Sequence, residues 1–350
     1  MFVSQAGSST LLVVDAASGQ TAARIEVGML PHNLVVSADG RTLYAALVGS
    51  QAIAEIDTAS LSLRRTLLTA PVPERRADGS LIQPHFDQDA FSATSCFGCH
   101  HAGGAEPKYA GDRPFGLSLS PDGRRLYVTH LRASRLSVLD LDGGTLESSA
   151  SLEPAGAATE VVAIDRLGDE LWVALRAPRP SSEPGVLRRL KADTLEPIAD
   201  LRAGADSGAL LALPARNQVL VSNFASNTVT MHDAGDSGSA PFAFEAAPGP
   251  LGLTALDASR VLALDYYSNA VSFLDLDSRS AETLPLEHDG QPYANPTNAA
   301  VASDKQSAWI VASGTDGHLL ELELSARKIV RDVAIDGLSF GVAIVPEISP

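Results

Sequence analysis

Cysteine is nearly absent from this chain, with two in 350 residues. That excludes a disulfide framework and a four-thiolate zinc site. Tryptophan occurs only at Trp172 and Trp309, both inside strand-like stretches, so there is no sign of a tryptophan-derived quinone. No apolar run approaches the roughly 20 residues of a membrane-spanning helix. Positive charge is in deficit: 26 Lys and Arg stand against 42 Asp and Glu, a net charge of −16. Such a surface repels phosphate backbones and anionic membranes, which argues against nucleic acid and favours basic partners. The opening Met1-Phe2-Val3-Ser4-Gln5-Ala6-Gly7 lacks the basic and apolar regions of a secretion signal. Apolar residues are plentiful at 45%, enough for a sizeable core.

Both cysteines fall in one stretch, Ser95-Cys96-Phe97-Gly98-Cys99-His100-His101. Two thiols at this spacing can each add across a vinyl group of a haem while the next imidazole reaches the iron. The motif therefore reads as a c-type attachment site, with Cys96 and Cys99 holding one covalent haem c and His100 as proximal ligand. A redox dithiol, half of a zinc site or a short disulfide are the competing readings. The flanks, Ala90 to Thr94 and Ala102 to Pro107, read as loop and not as the strand and helix of a thioredoxin-like site. Covalent haem attachment generally takes place outside the bacterial cytoplasm. The expected location is thus periplasmic or otherwise extracytoplasmic, with the numbering describing a mature chain.

The rest of the chain is repetitive, with a period of about 40 to 45 residues. The clearest copy runs from Phe115 through a Ser120-Pro121-Asp122-Gly123 turn to Leu126-Tyr127-Val128-Thr129-His130 and then Arg135 to Leu141. Apolar residues alternate along each piece, as half-buried strands require. A second clear copy begins at Asn33, and weaker ones at Val161, Ala209, Leu251 and Ala299. Met1 to Gly28 lacks a first strand, and Ser339 to Val345 is a first strand with nothing after it. Joining them makes a seventh unit and hides the sheet edges.

These cassettes resemble the YVTN family of seven-bladed β-propellers, through Leu126-Tyr127-Val128-Thr129 with His130 in the usual asparagine position. The resemblance implies an all-β fold: a single seven-bladed domain over 1–350, closed by pairing of its terminal strands. It implies little about function, because propellers host many activities. Residues 72–112 break the period between the second and third blades and carry the cysteine motif. About 40 residues are too few to bury a haem alone, so the haem is expected to lean on the propeller.

In such a topology the insertion joins an outer strand to the next inner strand, which places it at one mouth of the central channel. The distal candidates on that side are His32, Met29, His130 and His85. His101 is geometrically poor, His288 and His318 lie across the ring, and His232 points toward the other face. Arg75, Arg76, Lys108 and Arg113 can neutralise haem propionates, or are solvated loop charges. The carboxylates of His85-Phe86-Asp87-Gln88-Asp89 suit calcium or a proton relay less well than solvent. Phe86, Phe91, Phe97, Tyr109 and Phe115 supply an apolar wall.

The leading expectation is an extracytoplasmic c-type cytochrome on a propeller scaffold. Its role is electron transfer, or that of a subunit in a larger oxidoreductase, and its redox partner is a basic protein, another cytochrome or a sister subunit. It resembles, in fold only, the propellers of bacterial amine dehydrogenases and of denitrification enzymes. One alternative is a peroxidase-like haem enzyme with an open distal site, since Phe91 to Gly104 resembles the haem segment of bacterial dihaem peroxidases. The other is a non-enzymatic binding or assembly propeller.

Overall fold

A computed structural model describes residues 1–69, 113–131, 133–153, 159–177, 181–236, 238–314 and 316–345. Seven four-stranded antiparallel sheets form the blades of a β-propeller. Blade 1 takes its first strand from the C-terminus, Ser339–Ala343, and the other three from the N-terminus: Phe2–Gln5, Thr10–Val14 and Thr21–Glu26. The remaining first strands, blades 2 to 7 in order, are Pro31–Val36, Arg113–Leu119, Glu160–Leu167, Ser207–Leu213, Pro250–Ala255 and Pro296–Val301. Closure is by direct pairing of Phe2 with Ala343 and Val3 with Val342. The expected all-β, seven-bladed ring sealed by its termini is the observed architecture.

The core is not one mass. Period-2 alternation sends successive side chains of a strand to opposite faces of its blade, so each blade feeds two different wedges. Leu126 and Val128 pack toward blade 2 with Tyr44 and Ile53, whereas Tyr127 packs toward blade 4 with Val173 and Leu190. Seven such clusters fill the seven seams, and an eighth closes the channel mouth. Blade-to-blade burial, and not any single sheet, therefore holds the ring.

Every first strand carries a register shift within its first few residues. At this level side chains of the first and second strands bond the first strand of the next blade. Ser4 Oγ donates to His32 O at 2.7 Å, Asn33 Nδ2 to Phe115 O at 2.9 Å, Ser222 Oγ to Leu251 O at 2.9 Å, and Thr297 Oγ1 to Phe340 O at 2.8 Å. Each bond ties one blade to the next at its narrowest point. The approach needs glycine: a Cβ at Gly252 would lie 2.5 Å from Thr297 O, a backbone atom that cannot swing aside. We expect Gly252→Ala to destabilise the protein by about 1–3 kcal/mol through overpacking, measured by urea unfolding, while a loss near zero would show that the seam can spread.

Candidate functional site

The mouth of the channel on the side where residue 69 ends and residue 113 resumes is built by recurrence. In five blades the residue after the second strand donates its N–H to the carbonyl of the residue before the first strand of the same sheet. Ala6 bonds Leu338, Val48 bonds Leu30, Phe224 bonds Asp206, Tyr266 bonds Gly249 and Ser313 bonds Asn295, all at 2.8–3.0 Å. The five acceptor residues have left-handed backbones, with φ of 60°, 54°, 56°, 80° and 56°. For the two leucines that conformation costs about 1–2 kcal/mol each, and burial of Leu30 in the mouth offsets it. Ala6, Leu30, Val48, Phe115, Leu131, Val162, Phe224, Tyr266 and Phe340 form one apolar cluster there. The serine at 313 breaks the pattern, and among the described residues its buried hydroxyl has no partner.

Below this plug lies a channel of about 240 Å³ lined by first-strand residues. Asn33 and Asn298, from the blades either side of blade 1, and Asp165 are polar groups of its wall. Asp165 accepts from the N–H groups of Ala212, at 2.8 Å, and Arg166, at 2.7 Å. Burial outweighs those two bonds and pushes its carboxyl up to about 6.

A second recurrence sits at the end of the second strand, on its last residue in blades 5 and 6 and its last but one in blade 3. In these three blades the polar side chain there meets a hydroxyl seven residues on: His130 Nε2 with Ser137 at 2.9 Å, Asn223 Nδ2 with Thr230 at 3.2 Å, and Asp265 Oδ2 with Ser272 at 2.7 Å. All three are fully buried. The Arg135 guanidinium donates to His130 Nδ1 at 3.4 Å, so the network assigns the ring proton to Nε2, donated to Ser137. Burial, followed by the Arg135 charge, holds His130 well below the ordinary imidazole value. Asp265 Oδ1 has no partner among the described residues, and burial raises the carboxyl to about 8. In blade 4, Arg176 pairs with Glu160 at 3.0 Å and Asp206 at 2.7 Å, with only 3% of the arginine side chain exposed.

Two of the four residues expected to face an iron, His32 and His130, are packed or bonded within the propeller itself. His32 is 1% exposed, its ring centroid 4.4 Å from Phe115 and 3.3 Å from Phe340, and among the described residues neither ring nitrogen has a hydrogen-bond partner. Desolvation lowers it to about 3. His130 has both nitrogens committed. Met29 is half-buried, its backbone N–H held by Ser50 Oγ at 3.0 Å. Cys96, Cys99, His100, His101 and His85, with Arg75, Arg76 and Lys108, lie outside the described residues. His232 is buried within the third strand of blade 5 beside Thr230, and burial lowers it to about 4.

On blade 7, His318 Nδ1 faces Asp332 Oδ1 at 2.8 Å, and the Tyr293 hydroxyl donates to Asp332 Oδ2 at 2.9 Å. Burial, then this bond and the charge of Asp332, raise the Tyr293 phenol to about 12. The carboxylate orients the imidazole, as in base–orienter pairs, yet among the described residues no hydroxyl or thiol bonds to His318. Sequence reading placed this histidine without finding its partners. Nor did it find Asp265 or the Arg176 cluster, although aligning the ends of the second strands would have shown them.

No protein-family model and no curated protein matches the chain. Solved structures do. A structure of U3-55K is similar at TM-score 0.62 and 12% identity, over 88% of this chain and 82% of that one. The RRP9 WD40 repeats are similar at TM-score 0.63 and 11% identity, over 96% and 87%. The chain has the fold of the WD40 propellers. A functionally unknown protein from Desulfotomaculum acetoxidans DSM 771 is similar at TM-score 0.54 and 11% identity, over 86% and 79%.

These findings correct the leading expectation. The WD40-type fold match, the absence of any metal-holding group of His, Cys, Asp and Glu among the described residues, and the burial of His32 and His130 turn the reading away from a c-type cytochrome with one haem c. No helix among the described residues is long and apolar enough to cross a membrane.

Proposed function

We propose that this chain is a non-enzymatic binding or assembly propeller that offers its rigid surface to a protein partner. The observation that carries this reading is the commitment of the mouth's polar groups. Those at the ends of the second strands in blades 3, 5 and 6 are buried and bonded within their own blades, so they hold the ring and do not face a substrate. The likeness to WD40 propellers supports it at the level of fold. A net charge of −16 favours a basic partner. The repeat is assigned to the YVTN type on Leu126 to Thr129, where Tyr127 bonds the neighbouring blade at Ala192 O and Thr129 accepts from Gly116 N. An extracytoplasmic location is retained as a proposal, tested by cell fractionation.

The test is chemical crosslinking of the tagged full chain in its native cells, followed by purification and mass measurement. We expect a stoichiometric complex with a basic protein that dissociates as salt is raised, since exposed charge pairs are screened over about 10 Å at 0.1 M. A chain that stays free of protein partners at native concentration would sink the reading.

A further inference from the structure

The face opposite the plugged mouth is made of the turns between first and second strands and between third and outer strands. Several seams on that face are closed by arginine. Arg65 donates to Leu141 O across blades 2 and 3, and Arg216 pairs with Asp277 at 2.7 Å across blades 5 and 6. Arg327 pairs with Glu282 and stacks 4.7 Å over Phe273 across blades 6 and 7, while Arg331 donates to Ala16 O and Ala17 O across blades 7 and 1. The seam between blades 3 and 4 differs. Near the opposite face Arg188 ties it to Leu152 O at 2.8 Å, and deep inside Tyr127 bonds Ala192 O at 3.1 Å. Above Tyr127 it opens into a groove of about 1010 Å³.

One cation of this groove is under-used. Arg166 is 20% exposed, and among the described residues its buried Nε has no partner and its one ion pair is a 3.3 Å contact to the fully exposed Asp169. A guanidinium has five N–H donors in a fixed fork that matches a carboxylate. The neighbouring Arg125 is by contrast satisfied, bidentate to Glu147 at 2.8 and 2.6 Å. The rim is acidic on balance: the exposed carboxylates of Asp122, Asp142, Asp169 and Asp193 stand beside the exposed Arg124 and Lys191, of which Arg124 lies 3.4 Å from Asp142 and Lys191 pairs with Glu196 at 2.8 Å. A purely anionic ligand would meet that rim and a protein of net charge −16 before it reached Arg166.

We infer that the groove between blades 3 and 4 docks an extended segment of a partner protein that carries one acidic side chain flanked by basic ones. The carboxylate enters the fork of Arg166, and the flanking Lys or Arg residues pair with the rim aspartates. The groove matches the upper end of the roughly 300–1,000 Å³ range of ligand sites. This inference rests on the binding-propeller reading and names the chemistry of the partner.

The test is calorimetric titration of the full chain, at low salt, with the capped pentapeptide Lys-Arg-Asp-Arg-Lys and its Asp-to-Asn counterpart. Because the contact is a charge-assisted hydrogen bond, the aspartate peptide should bind at least about tenfold tighter. Arg166→Gln should bring the two peptides to equal affinity, with an unchanged unfolding midpoint, whereas Arg24→Gln on the seam of blades 7 and 1 should leave the preference intact. Equal binding of both peptides to the wild-type chain would mean only general attraction to an acidic surface, and would overturn the inference. So would a preference that survives Arg166→Gln, or no binding of either peptide. Should Arg166→Gln still capture a crosslinked partner in full yield, the groove is not its dock, and the inference falls while the binding reading stands.

Discussion

Replacing Asp265 by asparagine should make the protein more stable at pH 8 to 9 and nearly unchanged at pH 4. Asp265 ends the second strand of blade 6, fully buried, with Ser272 on one oxygen and, among the described residues, nothing on the other. Burial lifts its carboxyl from 3.8 to about 8, against the smaller opposing effect of the serine. The sign follows from proton binding. In the unfolded chain this group releases its proton near pH 4, whereas the folded chain holds it to about pH 8. Below pH 4 both states are neutral there and no penalty exists. Stability then falls as pH rises through the window from about 4 to 8, and levels off above it. At about 1.4 kcal/mol per unit the full displacement amounts to several kcal/mol.

Asparagine has the same shape and no charge. Blade 5 shows how it sits, because Asn223 at the equivalent position donates to Thr230. Urea unfolding of both proteins from pH 4 to 9 decides the matter. The wild-type curve should slope downward across the window while that of Asp265→Asn runs flatter. Parallel curves would show that Asp265 is ionised in the folded state.

The second large effect is expected at Arg176. Its guanidinium lies between Glu160 and Asp206, and these three groups join the first and second strands of blade 4 to the residue that begins blade 5. Removing the cation leaves two largely buried carboxylates close together, which typically costs about 3–5 kcal/mol. Arg176→Met should lose that much by urea unfolding. Adding Glu160→Gln and Asp206→Asn should recover most of it, because buried ion clusters often exchange for neutral groups at little net cost. Asparagine also tolerates the left-handed backbone at position 206. A loss under about 1 kcal/mol for Arg176→Met would mean that water reaches the carboxylates.

The repeat was legible because each blade is written locally. Ser120-Pro121-Asp122-Gly123 encodes a turn, Leu126 to His130 and Arg135 to Leu141 alternate with period 2, and the orphan first strand at Ser339 demands a partner at Phe2. The reading of His32 and His130 failed for a complementary reason. Chain order placed both at the correct mouth, but nothing within either local stretch announces Phe340, 308 residues from His32, or the way Arg135 and Ser137 claim both nitrogens of His130. The cysteine motif lies outside the described residues, so its local chemistry had no tertiary setting to be weighed in.

By itself the sequence determined the blades, their number, their order and the sealing of the ring by its two ends, because strand periodicity and turn chemistry act over a few residues. Only the tertiary structure decided which polar groups are engaged. The burial that raises Asp265, the opposed carboxylates on Arg176, the mouth plug and the under-used Arg166 all arise where two blades meet. Desolvation and pairing depend on neighbours distant in the chain, and no local pattern carries them.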